Sequence, residues 1–162
     1  MKSHKVFLLL IAICCILMPS IAGAWSSDPS VNTPIAVAPD DQGSAVMVED
    51  GVGGAIIAWT DYRNVSDRDI YAQRVDATGA VQWTIDGVAV CTATGHQNAI
   101  HIIHDGNGGA ILSWNDRRDG SYKVYSQRLD ANGSAQWTSG GIHLAEMDSP
   151  QSMISDGAGG AI

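Results

Sequence analysis

The feature that most constrains the fold is an internal repeat. Residues 50–63 read DGVGGAIIAWTDYR, and residues 105–118 read DGNGGAILSWNDRR, which is identical at nine of 14 positions. A third copy begins as DGAGGAI at residues 156–162. The three Asp-Gly starts are 55 and 51 residues apart. A repeat of this period indicates one supersecondary unit used several times, with neighbouring units burying a shared core.

Each repeat carries the signals of short antiparallel strands. Three glycines within the four residues after Asp50 permit the positive φ angles of tight hairpin turns. The unbroken apolar run at residues 55–59 is typical of a strand that is buried on both faces. Because no stretch after the N-terminal segment has helical periodicity, the sequence predicts an all-β fold. The other predicted strands are residues 35–39, 44–49, 69–75, 80–84, 88–91 and 97–104.

We therefore expect tandem four-stranded antiparallel repeats over residues 35–162, arranged as a partial β-propeller. Propeller blades are four-stranded sheets around a central channel, and a propeller closes with ~4–8 of them. A β-sandwich built from two repeats is the alternative. The sequence holds two full repeats, a leading partial one and the start of another. We accordingly expect it to be part of a longer product, incomplete at its C-terminus.

The N-terminal segment has the order of a secretory signal peptide over residues 1–24. Two lysines precede an apolar run at residues 6–18, and small residues follow at residues 22–24. A membrane anchor is the alternative, but a spanning helix needs roughly 20 apolar residues. A lipoprotein anchor at Cys14 is weaker still. Residues 25–34 are expected to be a linker. The predicted location is secreted or at the cell surface, without membrane insertion after cleavage.

Charge and cysteine content exclude some functions. The sequence has nine Lys and Arg against 17 Asp and Glu, a formal charge of −8, and loss of Lys2 and Lys5 with the signal would make it −10. Nucleic-acid binding needs a basic surface, so no nucleic-acid partner is expected. Cys91 would be the one cysteine left after cleavage. We interpret it as a small buried residue, not as a nucleophile.

The repeat motif resembles a known class of sequences. The pattern DGxGGAIxxWxDxR, followed by DIYAQRVDAxG and QW, is similar to the propeller-type repeats of large exported bacterial proteins. Residues 76–83 and 130–137 also resemble, with wider spacing, the Asp-box turn of sialidase-type propellers. That turn is structural. The resemblance covers residues 35–162 and implies a propeller, but no particular reaction.

Charged, amide and aromatic residues recur at matching positions, and we interpret them as structural. A catalytic residue is needed once, whereas a packing device is needed in every repeat. A sugar site built from the Asp and Arg residues, or from stacking Trp residues, is the alternative. The recurring set is Asp50, Gly54, Trp59, Asp61, Arg63, Gln73, Arg74 and Trp83, then Asp105, Gly109, Trp114, Asp116, Arg118, Gln127, Arg128 and Trp137.

No catalytic residue, cofactor or metal site is predicted. The Asp-Gly turns could be read as calcium ligands, but calcium needs six or more oxygens, and turn formation is the usual role of such Asp residues. His101 and His104 would face opposite sides of a strand and so could not easily share a metal. The sequence predicts a non-catalytic exported scaffold that binds a protein or glycan. The alternative is part of a secreted glycan-acting hydrolase whose catalytic residues lie outside this sequence.

Overall fold

A computed structural model describes residues 30, 32–146 and 152–162, and these residues form two four-stranded antiparallel sheets. The first sheet contains β1 (Gln42–Glu49), β2 (Ala55–Asp61), β3 (Asp69–Val75) and β4 (Val88–Cys91). The second contains β5 (Gln97–His104), β6 (Ala110–Asp116), β7 (Lys123–Leu129) and β8 (Ile142–Ala145). In both sheets the strands neighbour one another in chain order. We call residues 42–91 repeat 1 and residues 97–145 repeat 2.

The expectation of an all-β chain with tandem four-stranded antiparallel repeats is confirmed. The described residues contain no helix, and the two sheets are not closed into a barrel. It follows that the described part has no helix that could cross a membrane. The proposed signal peptide, residues 1–24, and most of the proposed linker lie outside the described residues.

The two repeats have the same register. β2 pairs with β3 from Ala55 to Asp61, and β6 pairs with β7 over the corresponding seven residues. The first strand of each sheet carries an irregularity at the same place, where Ser44 and Ala99 both have a φ of 51°. The sequence repeat is thus a structural repeat down to its backbone distortion.

The core lies between the two sheets. Strand β5 packs against β1, β2 and β3, and one apolar cluster draws on both repeats. Ile56, Ile70, Leu112 and Trp114 are completely buried in it. Every residue of β6 is buried, as expected for an apolar strand that is covered on both faces. The hydrophobic effect therefore acts across the repeat-to-repeat contact as well as within each sheet.

The prediction of a strand at residues 80–84 is wrong. Only Val81 forms a bridge, to Val75. The side chain of Gln73 takes the place of the missing ladder: its Oε1 accepts from the backbone N–H of Trp83 at 2.9 Å, and its Nε2 donates to the Thr84 carbonyl at 2.8 Å. A side chain that bonds backbone groups holds this segment against β3 without a strand.

The prediction of a strand at residues 35–39 is also wrong. Residues 34–37 instead run as an irregular segment along the side of repeat 1, close to Ile57 and Trp59. The backbone N–H of Val37 donates to Asp86 Oδ1 at 2.7 Å. The Val37 N–H therefore bonds a side-chain oxygen, whereas in a strand it would bond a backbone carbonyl.

Candidate functional site

The Asp-Gly turn of repeat 1 is held together by its own aspartate. Asp50 Oδ1 accepts from the backbone N–H groups of Val52 at 2.9 Å and Gly54 at 2.8 Å. Its Oδ2 receives Nε of Arg74 at 2.9 Å and Nη2 of the same guanidinium at 2.8 Å. A side chain at residue 54 would collide with the carbonyl oxygen of Val75, which explains the glycine there.

Repeat 2 reproduces this turn. Asp105 Oδ1 accepts from Asn107 and Gly109, each at 2.8 Å, and Oδ2 receives Nε of Arg128 at 3.0 Å. Burial on its own would raise the pKa of Asp105. The two backbone N–H groups and the guanidinium outweigh burial and hold that pKa below its usual range. A side chain in place of Gly109 would collide with the Leu129 carbonyl.

The third copy forms the same turn. Asp156 Oδ1 accepts from the backbone N–H groups of Ala158 at 2.7 Å and Gly160 at 2.8 Å. In the first two copies both carboxylate oxygens are engaged within the protein, which leaves little for a cation. No group of three or more His, Cys, Asp or Glu side chains placed to hold a metal occurs in the described ranges.

A second recurring cluster joins the end of β2 to the next loop. Asp61 is completely buried and accepts from Trp59 Nε1 at 2.8 Å and from Arg63 Nε and Nη2 at 2.8 and 2.6 Å. The same Nη2 donates to the Asp86 carbonyl at 2.8 Å, and the guanidinium lies 3.7 Å from the Tyr71 ring centre. Burial would raise the pKa of Asp61, but the bonds from Arg63 and Trp59 outweigh it.

The matching cluster in repeat 2 has the same connections. Asp116 accepts from Trp114 Nε1 at 3.0 Å and from Arg118 Nε and Nη2 at 3.0 and 2.6 Å. Arg118 also donates to the Gly140 carbonyl at 2.7 Å and lies 3.9 Å from the Tyr125 ring centre. Each of these charged groups is therefore used by the fold in both repeats.

One residue of repeat 1 enters the repeat 2 cluster. Cys91, at the end of β4, places its Sγ 3.5 Å from Asp116 Oδ2 and 3.3 Å from Arg118 Nη2. Burial, with the nearby carboxylate, raises the pKa of the Cys91 thiol to about 12. A thiol with that pKa stays protonated near neutral pH, and it is a poor nucleophile. Its position instead links the two repeats.

The recurring tryptophans near the turns differ between the repeats. Trp83 is 8% exposed and donates from Nε1 to the Ala131 carbonyl of repeat 2 at 3.0 Å. Trp137 is partly exposed, and its backbone N–H bonds Gln127 Oε1 at 3.0 Å, as Trp83 does with Gln73. No described residue accepts a hydrogen bond from its indole.

A cleft lies between the Asp-Gly turns of the two repeats. It has a volume of about 400 Å³ and is lined by both turns, by Arg74 and by His104. Val52, 71% exposed, stands at its edge. No sequence pattern predicts this cleft, because it arises only when two turns that are distant in sequence lie side by side.

Asp69 breaks the repeat, since Lys123 occupies the matching position. It is 1% exposed, its Oδ2 accepts from Asn64 at 2.6 Å, and its Oδ1 has no hydrogen-bond partner. Burial raises the pKa of Asp69 to about 6, with Asp67 and Asp61 adding to the shift. Asp69 was not among the predicted residues, because those are the positions that recur in both repeats. The mismatch with Lys123 was the available signal.

Comparison of the chain with protein-family models, with curated protein sequences and with solved structures found no match.

Proposed function

We propose that the chain is a non-catalytic scaffold of an exported protein, with its repeats arranged as blades of a β-propeller, and that it binds a protein or glycan outside the cell. The observation that carries the proposal is the duplication of the charged clusters. Asp61 and Asp116 are buried, the side chains of Arg63 and Arg118 are 20% and 21% exposed, and the two pairs bond equivalent internal partners. Groups that are saturated within each repeat stabilise it and are not free for chemistry.

The contact between the repeats favours the propeller over the sandwich. Trp83 of repeat 1 bonds the turn at Ala131 of repeat 2, but Trp137 makes no corresponding bond to Ala77 within the described residues. A two-fold sandwich would make the contact in both directions, because the same patch would meet itself. A head-to-tail contact instead builds a ring when its rotation closes.

The cleft between the two Asp-Gly turns is the best candidate for ligand binding. It combines backbone groups of both turns with Arg74 and His104, and its volume of about 400 Å³ suits a small sugar unit or a peptide side chain. Binding sites of repeat proteins commonly form on the face where equivalent turns gather.

Asp69 is the observation that favours a second function, a glycan-acting hydrolase with a catalytic residue inside this sequence, which differs from the hydrolase alternative expected from the sequence. A carboxyl group with a pKa of about 6 could act as a general acid. However, Asp69 is 1% exposed and bonded to Asn64, so a substrate would not reach it without rearrangement of the loop. The scaffold is therefore the function better supported by the geometry.

The test combines a glycan array with a panel of fluorogenic glycosides, both applied to the 162-residue chain. We expect binding without product release. Val52→Arg should block the cleft and abolish binding, and Val65→Arg is the matched control, since Val65 is 77% exposed on a different loop. Product release that Asp69→Asn abolishes would instead establish the hydrolase. An empty array would eliminate glycans and leave a protein ligand.

A further inference from the structure

We propose that Arg128 and Trp137, together the docking face of repeat 2, bind the Asp-Ala-x-Gly turn of a further repeat of the same sequence pattern. The proposal rests on the head-to-tail arrangement described under the proposed function, but not on any ligand. The docking face of repeat 2 differs from its counterpart in repeat 1, which is already occupied by the Ala131 turn.

The occupied face shows what such a partner must offer. In repeat 1, Trp83 Nε1 and Arg74 Nη1 both donate to the Ala131 carbonyl, at 3.0 and 3.1 Å. Gly133 lies flat against the indole, where an added Cβ would stand 2.8 Å from the Trp83 ring. The partner turn must therefore present a free carbonyl and, two residues later, a glycine.

The docking face of repeat 2 has the same donors and lacks these acceptors. Arg128 keeps its bonds to Asp105 through Nε and Nη2, as Arg74 does with Asp50, so the guanidinium is already held in place. The Arg128 side chain is 30% exposed against 18% for Arg74. Its Nη1 and the Trp137 indole have no acceptor among the described residues. The Arg128 guanidinium, held by Asp105, and the Trp137 indole N–H thus require an acceptor of the kind that Ala131 supplies in repeat 1.

The start of the third copy already lies beside this face. An added Cβ at Gly159 would stand 3.4 Å from the Asp105 carbonyl and 3.8 Å from Arg128 Nη2. In repeat 2 the Asp-Ala-x-Gly turn at Asp130 follows Asp105 by 25 residues. A third copy of the same length would therefore carry its own turn back towards Trp137.

The experiment extends the chain with its own sequence. Residues 112–146 are appended after Ile162, so that the third copy continues as repeat 2 does. Thermal unfolding is then measured for Trp137→Ala in the 162-residue chain and in the extended chain. Trp83→Ala is the matched control in both, because its contacts are present in both.

In the 162-residue chain we expect Trp83→Ala to lower Tm at least about three times as much as Trp137→Ala. In the extended chain the two losses should agree within about 2 °C. The appended turn contains a glycine that corresponds to Gly133. Replacing that glycine with Val should remove the additional loss of Tm that Trp137→Ala causes in the extended chain. A double-mutant cycle of the two substitutions measures this coupling, because residues in contact do not have additive effects. An equal Trp137→Ala loss in both chains would overturn the proposal.

A failure here is distinguishable from failure of the proposed function. Val52 lines the cleft between the Asp-Gly turns, and neither Arg128 nor Trp137 is part of that lining. Ligand binding lost in Val52→Arg, with no coupling at Trp137, would contradict only the docking face. Coupling at Trp137 without any ligand would contradict only the binding role.

Discussion

The two repeats have nearly the same internal contacts but different neighbours. In both, an aspartate closes the Asp-Gly turn, and a buried Trp-Asp-Arg cluster ends the second strand. Repeat 1 is covered by repeat 2 at Trp83, whereas Trp137 stays partly exposed. Internal contacts therefore define the unit, and position along the chain decides which of its faces is buried.

The same comparison applies on the opposite side of each repeat. The Asp116–Arg118 cluster is covered by Cys91 of the preceding repeat, while residues 34–37 run beside the Asp61–Arg63 cluster. A short irregular segment thus lies against repeat 1 where a strand end lies against repeat 2. Each repeat therefore has one side that contacts the segment before it in the chain and another side that is available to the segment after it.

The largest expected effect tests whether the clusters are equivalent. Asp61→Asn and Asp116→Asn should each lower the free energy of unfolding by about 3 kcal/mol, because each removes a fully buried carboxylate from an arginine side chain that is only 20% or 21% exposed. Asp116→Asn should lower the free energy of unfolding slightly more, since it also changes one of the two groups that contact Cys91 Sγ. Urea unfolding monitored by tryptophan fluorescence measures both. Asp41→Asn, at an exposed carboxylate, is the control, and a loss below about 1 kcal/mol in either cluster would contradict a structural role.

The next effect tests the position where the repeats differ in charge. The pKa of Asp69 is raised to about 6, so the fold favours its protonated form. The stability that protonated Asp69 contributes is fully present below the ordinary pKa of 3.8 and is lost as pH rises through about 6. Asp69→Asn should therefore stabilise the protein by about 1–3 kcal/mol at pH ~7.5, with a much smaller gain at pH ~4.

Urea unfolding across this pH range provides the measurement for Asp69→Asn. Asp61 and Asp116 give the opposite pH dependence. Their pKa values are lowered, so the stability that they contribute is lost as pH falls below 3.8. A gain from Asp69→Asn that is the same at both pH values would show that Asp69 is not buried as described.

The sequence allowed the fold class and most strands to be predicted, because glycine turns and apolar runs are local signals. It failed at residues 80–84, where Gln73 replaces a backbone ladder with side-chain bonds. Apolar residues there look the same whether the backbone pairs with a strand or with a side chain. Recurrence drew attention to the repeated charged and aromatic residues, but it did not indicate the partner of each one.

The contacts between repeats could not be predicted from the sequence. The bond from Trp83 to Ala131 depends on how two sheets pack, and no local pattern encodes that geometry. Asp69 was missed for a different reason. Its raised pKa depends on the burial that the surrounding loop creates, whereas its residue type alone would indicate an ordinary surface acid.

A smaller effect tests the contact that joins the repeats. Cys91→Ala should destabilise the protein by about 1–2 kcal/mol, because it removes a buried sulfur that touches Asp116 and Arg118. Repeat 2 has Ala145 at the matching strand position, so Ala145→Cys is the matched variant. Because no next cluster lies over Ala145 in the described residues, we expect Ala145→Cys to change stability by less than about 0.5 kcal/mol in urea unfolding. Equal effects at the two positions would contradict the asymmetry.

The smallest effect concerns the backbone distortion that both repeats share. Ala99 is exposed in β5 with a φ of 51°, a conformation that glycine adopts without strain. Ala99→Gly should therefore be neutral or stabilise by up to about 0.5 kcal/mol, because relief of strain offsets the entropy that glycine adds to the unfolded chain.

Ala89→Gly is the matched control at an exposed position in β4 without positive φ, and it should destabilise the protein by about 0.5–1 kcal/mol. Ser44→Gly should behave as Ala99→Gly does, since the same distortion occurs in β1. If Ala99→Gly cost as much as Ala89→Gly in urea unfolding, the distortion in the first strand would not be a strained feature of the repeat.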